Sequence, residues 1–244
     1  MLKKITLIVL ILIPFSLLWG NFEVDIESGA IFTGYNDVRI PGDEGTLFSL
    51  KEDLTTDVEP YFRSRLHYHF NPKHHLILLY APLEVTATGK VDKDIDFQGE
   101  VFPANTDLKS IYKFNSYRIT YRYDFVRKTN LTFGLGFTAK IRDAIISLEN
   151  DTIKAEKENV GFVPIINFKS NWKMKEKLWL ILEGDALAAP QGRAEDVALK
   201  LNYQLNKKLG LNIGYRLLEG GADNDEVYTF SLFHYAALGL SYQF

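Results

Sequence analysis

Tyr117-Arg118-Ile119-Thr120-Tyr121-Arg122-Tyr123-Asp124-Phe125 alternates apolar and polar side chains without a break. A period of two is the signature of a β-strand, whose successive side chains point to opposite faces. Tyr117, Ile119, Tyr121, Tyr123 and Phe125 therefore share one face, and Arg118, Thr120, Arg122 and Asp124 share the other. A strand so divided must bury its greasy face in something apolar. Alternation alone does not say whether that is a protein core or a lipid bilayer.

The same pattern recurs to either side of this stretch. Strands are expected near 22–34, 58–70, 74–88, 110–125, 130–143, 160–172, 177–188, 194–206, 208–219 and 227–244. Their connections alternate in length. Asn71-Pro72-Lys73, Val126-Arg127-Lys128-Thr129, Met174-Lys175-Glu176 and Lys207 read as tight turns, with longer polar stretches at 35–57, 89–109, 144–159, 189–193 and 220–226 between them. Short turns on one side and longer loops on the other characterise membrane barrels, with the short turns in the periplasm. The expectation is an all-β fold: one closed antiparallel transmembrane β-barrel of ten strands over residues 21–244, with both termini on the periplasmic side. Val91, Ile95, Phe97 and Val101 alternate within the second long loop, which is expected to extend its strands above the membrane.

Residues 1–20 read as an export signal. Lys3 and Lys4 precede an apolar run from Ile5 to Trp19 that ends at Gly20, too short for a helical span. Cleavage there moves the formal charge from −3 to −5 through loss of the two lysines. With 28 basic and 31 acidic residues the chain lacks the positive excess of a nucleic-acid binder. The absence of cysteine excludes disulfide frameworks, thiolate metal sites and a thiol nucleophile.

Two features favour lipid as the apolar partner. No Lys, Arg, Asp or Glu falls on the greasy face of any expected strand, as a bilayer demands when a lipid-facing Lys or Arg at midplane costs about 2–4 kcal/mol. Each strand running toward a short turn also ends in outward rings: Tyr68 and Phe70, Tyr123 and Phe125, Trp172, Tyr203, and Tyr242 with Phe244. Rings at one common height form a periplasmic girdle. The final Leu240-Ser241-Tyr242-Gln243-Phe244 resembles the last strand of bacterial outer-membrane β-barrel proteins, and the segments Phe114–Phe125 and Leu232–Phe244 are similar to small envelope barrels. That resemblance implies insertion by the outer-membrane assembly machinery into outer-membrane lipid. It implies no activity, since the superfamily hosts pores, enzymes and adhesins.

The opposite faces would line the lumen. Eight acids (Glu23, Asp25, Glu27, Glu84, Asp124, Glu183, Asp185, Asp196) meet nine bases (Arg63, Arg65, Arg118, Arg122, Lys140, Arg142, Lys169, Lys200, Arg216). Buried charges are tolerable when paired, so an interlocked ion-pair network is expected, with Glu27, Arg63, Arg65, Glu84, Arg118, Arg122, Lys140, Glu183, Asp185, Lys200 and Arg216 at its centre. The acid row of the first strand would face the base row of the second, and Glu183 would lie beside Lys200. His67, His69 and His74 share the expected periplasmic mouth. They could ligate zinc, but simple hydrogen bonding to Glu23 and Asp25 is the reading adopted, so no metal or cofactor is expected. His234 falls on the lipid face, away from Ser231. A monomer with a structural or surface-interaction role is the leading expectation. The alternatives are a narrow channel for small polar solutes or ions, and a hydrolase acting on lipid or peptide.

Overall fold

The computed structural model describes residues 21–190 and 192–244, so the leader expected over residues 1–20 lies outside the described residues. In chain order the strands are β1 (Phe22–Arg39), β2 (Phe48–Ser49), β3 (Thr55–Thr56), β4 (Glu59–Asn71), β5 (His74–Ala81), β6 (Glu84–Gly89), β7 (Ile95–Phe97) and β8 (Glu100–Phe102). They continue as β9 (Leu108–Lys128), β10 (Leu131–Glu149), β11 (Lys154–Lys173), β12 (Leu178–Ala189), β13 (Gly192–Gln204), β14 (Leu209–Asp223) and β15 (Tyr228–Gln243). Ten antiparallel strands close a barrel in the order β1, β4, β5 with its continuation β6, β9, and then β10 to β15. The seam is a long β1–β15 ladder from Glu23↔Gln243 to Arg39↔Tyr228, which joins the first strand to the last and closes the sheet on itself.

Several strands outrun their expected outer ends. The stretch 144–159, expected as a long loop, is instead the top of the β10–β11 hairpin, paired up to Glu149↔Lys154. Its tip is held by Asn150 Oδ1, which accepts from the backbone N–H groups of Thr152 and Ile153 at 2.9 and 2.7 Å. An Asx turn of this kind lets a charged hairpin project without slack.

The greasy faces point outward. Phe62, Leu66, Tyr117, Ile119, Phe137, Ile141, Leu199, Ile213, Leu238 and Leu240 are all exposed on the outer wall. At the short-turn end, the rings of Tyr68 and Phe70, and of Tyr242 and Phe244, stand edge-on with centroids 4.8 and 5.1 Å apart. Gly184, on the same wall, leaves room for Phe168: a Cβ there would fall 2.8 Å from the Phe168 ring.

The long loops at the other end fold inward. β2 pairs with the top of β1 (Val38↔Phe48), and the β7–β8 hairpin turns tightly through Gln98 and Gly99, both at positive φ (55° and 78°) as a type I′ turn requires. Backbone bonds from Gln98 N to Ile40 O (2.9 Å) and from Thr46 N to Asp96 O (2.9 Å) stitch the two loops together. Phe48, Leu50, Leu54, Val91, Ile95, Phe97 and Phe102 are buried there against Ile31, Tyr61, Val85, Tyr112, Leu148, Phe233 and Tyr235 of the wall. This differs from the expectation that the second loop simply lengthens its strands. Val91, Ile95 and Phe97 turn into the mouth and only Val101 stays exposed, because removing those rings from water is favourable and the lumen offers the apolar partner.

Candidate functional site

Below the apolar cap the lumen is filled by charge. Register sets Glu23 opposite His67, Asp25 opposite Arg65 and Glu27 opposite Arg63. Arg216, 1% exposed, is the hub: it donates through Nε and Nη2 to the two oxygens of Glu27 (2.7 and 2.8 Å) and through Nη1 to Asp196 (2.6 Å). Asp196 also receives Arg63 and Arg118, each at 2.7 Å. Arg118 bridges onward to Asp185 at 2.6 Å, whose other oxygen accepts from Thr138 and Asn167. Lys200 meets Glu183 at 2.7 Å, and Lys169 meets the same carboxylate at 3.2 Å. Arg65 joins Asp25 at 2.9 Å, and Tyr61 caps Glu27 through its hydroxyl at 3.2 Å. The carboxylates Asp25, Glu27, Glu183, Asp185 and Asp196 are thus laced to cations from strands on opposite sides of the barrel. Pairing with further hydrogen bonds is the condition under which buried ions persist.

Two expected lumen residues lie elsewhere. Glu84 is exposed on the outer wall and His74 also faces outward, where its Nδ1 meets the Tyr121 hydroxyl at 2.6 Å. An irregularity between His69 and Asn71 sets the phase of β5, so His75, Ile77 and Leu79 point inward. The run Leu76-Ile77-Leu78-Leu79 is apolar on both faces and carries no alternation to reveal that phase. His67, His69 and His74 therefore do not converge.

At the periplasmic mouth a chain of side chains runs from Glu23 through His69 (3.3 Å) to His75 (2.7 Å between Nδ1 atoms) and on to Asp124 (3.0 Å). Arg122 joins its end through Asp124 at 3.1 Å. At the outer end His234 points outward onto the Tyr215 hydroxyl, whereas Ser231 points inward onto Tyr112 at 3.0 Å.

Lys140 sits apart from the network. It is 3% exposed, its ammonium lies 4.6 Å from the Phe114 ring centroid, and no carboxylate lies within 4.0 Å among the described residues. It lines a cavity of about 440 Å³ together with Tyr112, Phe114, Arg142, Phe162, Val163, Pro164, Leu187, Arg193, Leu218, Glu219, Ser231 and Phe233. Sequence reading placed Lys140 on the lumen face but had no sign of this cavity, which depends on where one ladder stops. β11 and β12 pair only from Lys173↔Trp179 to Ile166↔Ala186, although both strands continue outward. Pro164 stands just past that end and has no N–H to offer a neighbour.

Solved structures similar to this chain include three from bacterial outer membranes. The outer-membrane protease OmpT from Escherichia coli has a TM-score of 0.55 at 11% identity, covering 93% of this chain and 97% of that chain. The transport unit of the autotransporter AIDA-I from Escherichia coli reaches 0.49 at 10% identity over 97% of this chain and 94% of that chain. Ail of Yersinia pestis reaches 0.37 at 10% identity over 92% and 99%. No family model and no curated protein matches the chain. The fold is that of bacterial outer-membrane β-barrels.

Proposed function

We propose that the chain is exported through its N-terminal signal, is inserted by the assembly machinery, and resides in outer-membrane lipid as a monomeric barrel closed to solutes. Its role is structural or surface-interacting, exerted through the rigid outer end. The observation that carries this reading is the double filling of the lumen: an ion-pair layer spanning it and, above, a cap of buried rings and aliphatics. Eight-stranded barrels are just filled by side chains, and ten strands holding this many Arg and Lys stay close to that limit. Stitched loops over the mouth present a fixed surface on which contacts need little ordering, and loops are where binding concentrates.

Planar-bilayer recording on the purified protein tests the proposal. No conductance steps are expected from the wild type. Reproducible steps that change size on Arg63→Ala would replace this reading with the channel.

A further inference from the structure

We infer that the cavity beneath the cap is a binding site for a single-chain anionic amphiphile, which enters sideways from the bilayer through a gap between β11 and β12. The gap follows from the pairing. Beyond Ile166↔Ala186 each strand keeps only its other neighbour: β11 stays on β10 up to Lys154, and β12 stays on β13 up to Ala189↔Gly192. The two halves of the wall part there. A barrel normally satisfies every ladder position because lipid cannot, and Pro164 at the edge removes one donor that would otherwise be left bare. The cavity reaches from Tyr112 and Phe233 in the lumen, through this parting, to Phe162 on the outer face.

Chemistry along that path is graded. Outside the gap the wall is apolar: Val160 and Phe162 are 73% and 66% exposed, beside Ile141. Inside, Lys140 and Arg142 stand in register with Val163 and Gly161, directly behind the β11 edge. Among the described residues Lys140 has no carboxylate within 4.0 Å, Asp196 and Asp185 attracting it only from farther off, and Arg142 bonds Asn159 through Nη2 while its Nε is buried without an acceptor. The cavity's carboxylate, Glu219, is already held by Arg193 at 2.7 Å. Positive charge at depth is thus only partly compensated. A buried cation without a partner is costly, and an anionic head would relieve it. Some 440 Å³ falls within the range of small-molecule sites. The head would lie on Lys140 and Arg142, and the alkyl chain would leave between Phe162 and Leu187 into lipid.

The test uses the mature barrel in an uncharged detergent, with oleate as the probe, displacing a fluorescent fatty acid. Saturable binding at one site is expected. Lys140→Met, which removes charge but breaks no ion pair, should weaken it at least tenfold. Val163→Trp, which fills the gap and keeps Lys140, should do the same. Retained heat-resistant gel mobility checks the fold of each variant. Acetate should fail to compete, because it has the head without the tail. Absence of saturable binding, full competition by acetate, or affinity unchanged in both variants would each overturn the inference.

Discussion

The middle and the outer end of the lumen solve one problem with opposite chemistry. In the middle, inward positions of every strand point at one another across the axis, and Arg216, Glu27, Asp196 and Glu183 fill the space as matched ions. At the outer end the same inward positions are Ile31, Tyr61, Val85, Leu148 and Phe233, and the complement is brought in by two loops. The ionic layer belongs to the barrel and cannot be removed without leaving bare charges. The hydrocarbon layer is shared between wall and loops, so its loss should be felt mainly by the loops. Rigidity and closure are therefore secured twice, by parts that should fail independently.

Breaking the ionic layer should give the largest effect. Arg216→Ala takes one cation from each of three buried carboxylates, and removing one partner of a buried ion pair costs about 3–5 kcal/mol. Urea unfolding in lipid vesicles should show that loss for the whole barrel. Leu50→Ala empties a fully buried site in the cap, a change that typically costs about 2–5 kcal/mol. Here the expected signature is local: amide exchange and proteolysis should rise in residues 40–58 and 90–107, while the barrel's urea midpoint stays close to wild type. A global shift of equal size would show that the two layers are coupled. The smallest effect sharpens the same contrast. Lys90 and Asp107 pair at 3.1 Å on the exposed rim, and solvent-exposed pairs often contribute nothing measurable. Lys90→Ala should unfold with the wild-type urea midpoint.

What could be read from sequence tracks where charge alternates. Around Arg118–Asp124 and Glu23–Glu27 each polar residue marks the inward face, so strand phase follows from the letters, and the β1–β4 facing follows once the two strands are aligned at their short-turn ends. Between His75 and Leu83 both faces are apolar, the inward Ile77 and Leu79 standing as apolar side chains beside the ionic layer. His74 and Glu84 were consequently assigned to the wrong side. Asp196 was visible as a lumen acid but not as the point where Arg63, Arg118 and Arg216 meet, because those cations come from strands far apart in sequence. The cap left only the alternation of Val91, Ile95 and Phe97 as a trace. Such a pattern states that a face is greasy without stating what it will touch. The end of the β11–β12 ladder left no sign in the sequence pattern, because it depends on how two strands part in space.

The β7–β8 hairpin and the loop bearing Phe48 and Leu50 also bear on how such a molecule matures. Both loops mix charged side chains with these greasy ones, and water disfavours only the latter. Their shelter exists only once β15 zips against β1 and the cylinder has an inside. Until that seam is complete part of the wall the loops pack on is missing, so an unclosed molecule displays a sticky patch that the finished one conceals.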